Sequence, residues 1–456
     1  MIRDNIRFSK ELEKVNEWWL TSGLTLPKLL KRECLDKIIK EFKGARAIQI
    51  TGPRRVGKTT LIKQAISYLL SNKILSTDIL FLSLDDPVFH TLSDSLIEDA
   101  INFFLENVSK GNYKKYIFLD EIQVCKEWYK WIKSFYDKYS ENGKIKFVLS
   151  GSSSLSLQKE ANVYLRGRIQ DFEIYPFSFK EFLQFNNIKV EKINFSEIER
   201  IKPLDVSSLN KRVKPYFDEY LLVGGFPEWF KVKDVKNWFE KIINDIPKKA
   251  IYEDIINIFN IKSPRILENI FAFILENQSR ILSYETINEI AGLQRSILLN
   301  YIEYLKSSYL LVEVQKFTKR VKERIKSKKK FLVLDQGIRN AILKEYKLNL
   351  ENIGFIIENV IGLHLYKNGE VYYFKVNEEI DFILRHNKLF ILIEAKYRER
   401  VKVPKSMMRF MQKYDTEYGF VITRDIFKKE EINLLKKGEI YFIPAWLFLL
   451  MEFDVV

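Results

Sequence analysis

The chain has 456 residues, more than the roughly 100–200 of an ordinary domain, so two to four domains are expected. Hydrophobic residues at 46% and charged residues at 30%, with only 17 Gly and 11 Pro, exclude collagen-like and broadly disordered character. Lys and Arg exceed Asp and Glu by 75 to 60, a surplus that favours a polyanionic partner, and Cys34 and Cys125 alone exclude a disulfide framework or a zinc cluster with the three histidines.

A reducing, cytoplasmic setting is therefore the expectation. The amino terminus MIRDNIRFSKELEK carries charge where a secretory signal needs its apolar stretch, and no apolar run nears the roughly 18 residues of a membrane span. Residues 1–43 read as an N-terminal helical segment, with Trp18, Trp19 and Leu20 preparing a buried patch and Pro27 opening a second helix. From 44 to 180, short apolar runs (AIQI at 47–50, ILFLSL at 79–84, YIFL at 116–119, KFVLS at 146–150, FEIY at 172–175) alternate with amphipathic helices. That alternation implies a parallel sheet covered on both faces.

Residues 181–262 lose the strand pattern and read as a helical lid or linker, broken near Pro203, Pro215 and the GGFP turn at 224–227. Residues 263–330 carry a short helix, a turn at Gly292, a longer helix and a strand, the order of a helix-turn-helix with a wing. Residues 331–456 form a separate α/β unit: a helix at 353–367, strands at 371–376, 379–385 and 389–395, a helix at 404–415, then strands YGFVIT and EIYFIP.

Two motifs carry the chemistry of the first unit. GPRRVGKTT, Gly52 to Thr60, fits G-x-x-x-x-G-K-[ST] between a strand and a helix. Its residues Gly52, Pro53, Arg54, Arg55, Val56, Gly57, Lys58, Thr59 and Thr60 would wrap the phosphates of ATP with backbone N–H groups, with Lys58 on the outer oxygens and the Thr59 hydroxyl on Mg2+. YIFLDEIQ then supplies Asp120 as the second magnesium-side residue and Glu121 to polarise the attacking water. The next strand ends in LSGSSS, where Ser150 or Ser152 is a candidate γ-phosphate sensor, with Ser152 preferred. Arg166 and Arg168 in YLRGR are candidates to reach a phosphate in the same or a neighbouring subunit of a homo-oligomer, with Arg168 preferred.

In this order ARAIQITGPRRVGKTTLIKQ, YIFLDEIQVCKEWYKWIKSFYD, VLSGSSS, YLRGRIQDFEIYPFSFKEFL, LLVGGFPEW and FLVLDQGIRNAI resemble the prokaryotic AAA-type ATPases that carry a carboxy-terminal domain of long-unknown function. The resemblance covers nearly the whole chain. It implies an α/β core ATPase with a strand added between the phosphate-loop strand and the Asp-Glu strand, then a winged-helix unit, then a restriction-endonuclease-like α/β terminal domain.

Downstream, Lys316, Lys319, Arg320, Lys322, Arg324, Lys326, Lys328, Lys329 and Lys330 put nine positive charges into fifteen residues, opposed by Glu323 alone. Placed at a hairpin tip over 318–328, they are expected to neutralise DNA phosphates without reading sequence. In the terminal unit, Asp381, Glu394 and Lys396 read as D-x(12)-E-x-K on adjacent strands, resembling the PD-(D/E)XK nucleases, and Glu358 is the candidate additional acid. On that reading Glu358, Asp381 and Glu394 hold a divalent cation, and Asp381, Glu394 and Lys396 are catalytic. The competing expectation is a signalling or assembly switch whose terminal domain is a degenerate nuclease used for binding.

Overall fold

The computed structural model describes residues 2–20, 30–91, 93, 95–140, 143–151, 163–191, 193–256, 261, 263–345, 353–386, 389–398, 400–433 and 437–453. They divide into two compact units, Met1–Tyr175 and Pro176–Val456.

In the first unit the apolar runs become β1 (Ala47–Thr51), β2 (Ile79–Ser83), β3 (Lys115–Asp120), β4 (Ile145–Gly151) and β5 (Ile169–Glu173). Every residue of β1, β3 and β4 is buried, as expected of parallel strands sandwiched between helices. The sheet order is β2-β3-β4-β1-β5 and all its ladders are parallel, so β4 lies between the phosphate-loop strand and the Asp120 strand. Strand β2 is a sheet edge. Asn16 blunts it, donating from Nδ2 to the Phe81 carbonyl (2.9 Å) and accepting the Phe81 N–H (2.7 Å). Trp18 is buried here and Trp19 partly so, but Leu20, expected in the same patch, is exposed. Pro27 lies outside the described residues.

In the second unit the helices over 176–256 are Phe179–Phe185, Pro203–Val223, Trp229–Val232 and Val235–Ile243, followed by π-helical turns to Ile255. The expected break at Pro215 does not occur, and one helix runs from Pro203 to Val223. Pro215 stands on the exposed face, where water can satisfy the carbonyl it cannot bond, while Val213, Phe217 and Leu221 hold the other face in the core. The GGFP turn follows. Gly224 sits at φ 80°, and a Cβ there would lie 1.9 Å from Asp335 Oδ1. Asp335 is buried and accepts the N–H groups of Gly225 (2.7 Å) and Gly337 (2.8 Å), tying GGFP to LDQG.

The rest of this unit is built on a mixed nine-stranded sheet, with a separate parallel pair of β6 (Ile193–Asn194) and β16 (Met451–Glu452). Its strands are β7 (Ile281–Leu282), β8 (Leu311–Lys316), β9 (Lys329–Val333), β10 (Glu370–Lys375), β11 (Glu379–His386), β12 (Leu389–Ala395), β13 (Tyr418–Thr423), β14 (Lys428–Asn433) and β15 (Lys437–Pro444). Their order is β14-β15-β13-β12-β11-β10-β8-β9-β7. The boundary expected at 330/331 falls inside β9. Strand β8 pairs antiparallel with β9 and parallel with β10, so the ribbon bearing the basic segment continues into the terminal sheet. Val314 and Leu332 share one core cluster with Ile361, Phe382 and Ile393, which gives the sheet its continuity.

Candidate functional site

The phosphate loop follows β1 and ends where the helix Lys58–Ser71 begins. Gly57 caps that helix in the left-handed region, φ 95°, and Arg55 is also left-handed at φ 61°. A Cβ on Gly52 would come 2.3 Å from the Ile174 carbonyl oxygen, so only glycine lets the loop pass there. Lys58 is buried and its ammonium donates to the carbonyls of Gly52 (3.1 Å) and Pro53 (3.0 Å), which keeps it over the loop.

Asp120 ends β3, buried beside this loop. The Thr59 hydroxyl donates to Asp120 Oδ2 at 2.5 Å, and the Ser150 hydroxyl donates to Oδ1. Thr59 and Asp120, the two residues expected around magnesium, are therefore brought together as the sequence implied. Glu121 follows at φ 53°, ψ 47°, an uncommon conformation for a non-glycine residue that turns it out of the strand. Its carboxylate accepts from Gln123 Nε2. The glycine cradle, the buried lysine and the hydroxyl–carboxylate pair together fit a nucleotide with its magnesium.

Ser150 makes the contact with Asp120, and Ser152, the serine preferred from sequence, lies outside the described residues. The end of a buried strand was signal enough for Ser150. Arg168 is partly exposed, and its Nε donates to Asp137 Oδ1 at 2.8 Å while its guanidinium stands 5.9 Å from the Tyr136 ring. Arg166 is exposed.

The basic segment separates into three groups. Lys319, Arg320, Lys322, Lys326 and Lys328 are exposed on or beside a short helix, Val321–Lys326, which the sequence did not announce within the hairpin tip. Lys316 pairs with Glu323 (3.0 Å), and Arg324 donates to the Thr318 carbonyl (2.9 Å). Lys329 and Lys330 are buried and are withdrawn from the nucleic-acid set. Both belong to β9, where Lys329 donates to the Arg324 carbonyl at 2.8 Å.

Lys330 instead enters the terminal carboxylate cluster. Its Nζ lies 2.7 Å from Glu358 Oε1, 3.1 Å from Glu379 Oε1 and 3.9 Å from Asp381 Oδ1, and it donates to the Asp381 carbonyl at 3.3 Å. Burial alone would lower its pKa, but the charges of Glu358, Asp381 and Glu379 outweigh burial and hold it above the ordinary lysine value. The Asp381–Glu394 pairing occurs as expected on the antiparallel strands β11 and β12. Asp381 Oδ2 accepts the Ala395 N–H (2.8 Å), Glu394 Oε2 accepts the Asp381 N–H (3.2 Å), and Lys396 pairs with Glu394 Oε1 at 2.7 Å. Burial, then the charge of Asp381, raises Glu394 to about 7, and the same two causes raise Glu358 to about 8. The expected metal triad of Glu358, Asp381 and Glu394 is corrected by this geometry. Glu358 turns to Lys330, and among the described residues no three His, Cys, Asp or Glu side chains are disposed to hold a metal ion.

The class of protein follows from the first unit: its sheet order, glycine loop and Asp120–Thr59 pair are those of an AAA-type P-loop ATPase. Residues 44–183 match the model of an AAA domain, residues 214–349 a domain of unknown function (DUF8612), and residues 353–446 a domain of unknown function (DUF4143). An uncharacterized protein of Methanocaldococcus jannaschii, MJ1544, is 30% identical over 360 residues, 78% of this chain and 73% of that one, and the chain belongs to its family. An uncharacterized protein of Haemophilus influenzae is 25% identical over 429 residues, 92% of this chain and 98% of that one. Similar solved structures are the Orc1 protein of Aeropyrum pernix in complex with DNA (12% identity, 72% of this chain and 96% of that one, TM-score 0.30) and RuvB of Thermotoga maritima (16%, 75% and 95%, TM-score 0.27). No described helix is long and apolar enough to cross a membrane.

Proposed function

We propose that the chain is a magnesium-dependent ATP hydrolase that engages DNA and couples its nucleotide state to that engagement. The observation that carries the hydrolase reading is the Thr59 hydroxyl on Asp120, with Glu121 turned out of the same strand beside it. Bound Mg-ATP would supply the transferable phosphoryl group and the divalent charge that offsets it. Around it the backbone from Gly52 to Gly57 and the Lys58 ammonium bind the phosphates, and Thr59 and Asp120 hold the ion. Glu121 orients water and accepts its proton, and the buried Ser150 hydroxyl fixes Asp120.

What supports DNA as partner is the exposed charge of Lys319, Arg320, Lys322, Lys326 and Lys328. They stand on a ribbon that follows the helices Tyr284–Ala291 and Arg295–Ser307, the order of a winged helix. The Lys330 pairing favours the second reading for the terminal domain, a nuclease-like fold used for binding. The direct test is ATP turnover by the purified chain with and without DNA. Stimulation is expected, and turnover indifferent to single-stranded, duplex and branched DNA would replace DNA coupling with a protein-directed switch.

A further inference from the structure

The terminal cleft has a volume of about 420 Å3, and Glu358, Glu379, Asp381, Glu394, Lys375 and Lys396 are among its lining. Four carboxylates around one cleft would ordinarily repel each other until a metal or protons neutralised them. Here the chain supplies the cations itself. Lys330 serves Glu358, Glu379 and Asp381; Lys375 serves the other oxygen of Glu379 at 3.2 Å; Lys396 serves Glu394 at 2.7 Å. The oxygens of Asp381 and Glu394 that face each other's strands already accept backbone N–H groups.

Lys330 differs from the other two ammonium groups because none of its side chain reaches solvent. An isolated buried ammonium costs several kcal/mol, so this placement is stable only as part of the cluster. The strand fixes it as well: the Lys330 backbone is paired with Val314 on one side and Ile281 on the other, and the Phe382 ring lies 5.0 Å from Nζ. Lys330 also arrives from outside the 353–446 segment that holds the four carboxylates and the other two lysines, so the sequence of that segment does not reveal its presence.

We infer that Lys330 is a built-in counter-ion that takes the place of a divalent cation in the terminal cleft, so that this cleft is complete without magnesium or manganese. The inference is independent of the ATPase reading, because the residues it uses all lie in the second unit. Its consequence is that Lys330→Met, which removes the charge and keeps the bulk, converts the cleft into a divalent-ion site.

The test uses the full chain without nucleotide, titrated with MnCl2 and followed both by thermal melting and by the electron paramagnetic resonance of free Mn2+. Wild type and Lys330→Met share the phosphate-loop site, so any difference between them reports the terminal cleft. The expected result is a lower melting temperature for Lys330→Met that Mn2+ restores, together with one more bound Mn2+ per chain than wild type. Equal Mn2+ binding and equal melting responses in the two proteins would overturn the inference. If Lys330→Met cannot be obtained folded, wild type against Asp381→Asn decides: equal Mn2+ counts support the built-in counter-ion, and an ion lost with Asp381 overturns it.

Discussion

Asp120 shows how a short run of sequence becomes a working environment. The apolar residues before it drive β3 into the sheet, and the strand end leaves the carboxylate where Thr59 and Ser150 can both donate to it. Glu121, one residue on, gives its backbone N–H to the Ser150 hydroxyl at 3.4 Å, and its carboxylate accepts from Gln123. Lys58→Ala is therefore expected to weaken nucleotide binding and abolish hydrolysis. Glu121→Gln is expected to keep nucleotide affinity and lower turnover by about 100-fold or more. Fluorescent-nucleotide titration beside phosphate release measures both; a Glu121→Gln chain turning over at the parental rate would remove Glu121 from the chemistry.

His364 gives a stability prediction at the same scale. Burial, with Lys367 adding to it, lowers its pKa from 6.5 to about 4, and the rings of Phe448 and Phe453 stand edge-on to it. The unfolded chain takes up this proton near pH 6.5 and the folded one only near 4. The imidazole's contribution is thus complete above 6.5 and is lost as pH falls towards 4, by about 3 kcal/mol at most. Denaturant melts of wild type and His364→Phe across this window should diverge as pH falls, with wild type losing more; parallel curves would show that His364 protonates freely in the fold.

At the scale of elements, the ribbon β8–β9 serves two purposes. Its tip carries exposed charge on the helix Val321–Lys326, and its second strand delivers Lys330 to the terminal cleft. Substituting Lys319, Arg320, Lys322 and Lys326 by Gln should weaken DNA binding across sequences and flatten its salt dependence, by up to about 0.9 in slope for each duplex phosphate that is no longer neutralised. Titrations at several salt concentrations read the slope, and an unchanged slope would leave the tip merely solvated. The GGFP turn is the other decisive joint. Gly224→Ala should cost about 2–4 kcal/mol, because the added Cβ would meet a buried Asp335 that the backbone N–H groups of Gly225, Gly337 and Ile338 hold in place. A chemical-denaturation midpoint equal to that of wild type would show that Asp335 can move aside.

For the whole molecule, the phosphate-loop residues and Asp120 lie in the unit Met1–Tyr175, and the exposed basic ribbon and the carboxylate cluster lie in the unit Pro176–Val456. Coupling between them is the property that DNA-stimulated turnover would measure. The balance of charge also differs between the two candidate sites. The first brings Asp120 to the Thr59 and Ser150 hydroxyls and turns its lysine, Lys58, to loop carbonyls, whereas the second pairs its carboxylates with Lys330, Lys375 and Lys396.

The phosphate loop, Asp120, the parallel strands and the Asp381–Glu394 hairpin were all readable from the chain itself. Each depends on neighbours a few residues apart, or on apolar runs whose burial is imposed by the hydrophobic effect. The partners of the lysines were not readable. Lys328 and Lys330 stand two apart in one basic run, yet one is exposed and the other has no side-chain exposure to solvent. Charge along a sequence says only that a group must be solvated or paired. Which of the two holds was decided when β8 joined β10 and β9 came to face Glu358 on the helix Ile353–Tyr366 and Glu379 and Asp381 on β11, residues from 28 to 51 positions away. Local chemistry thus determined the residues of the candidate nucleotide site, and long-range strand pairing and helix packing decided that a lysine expected on DNA lies among carboxylates instead.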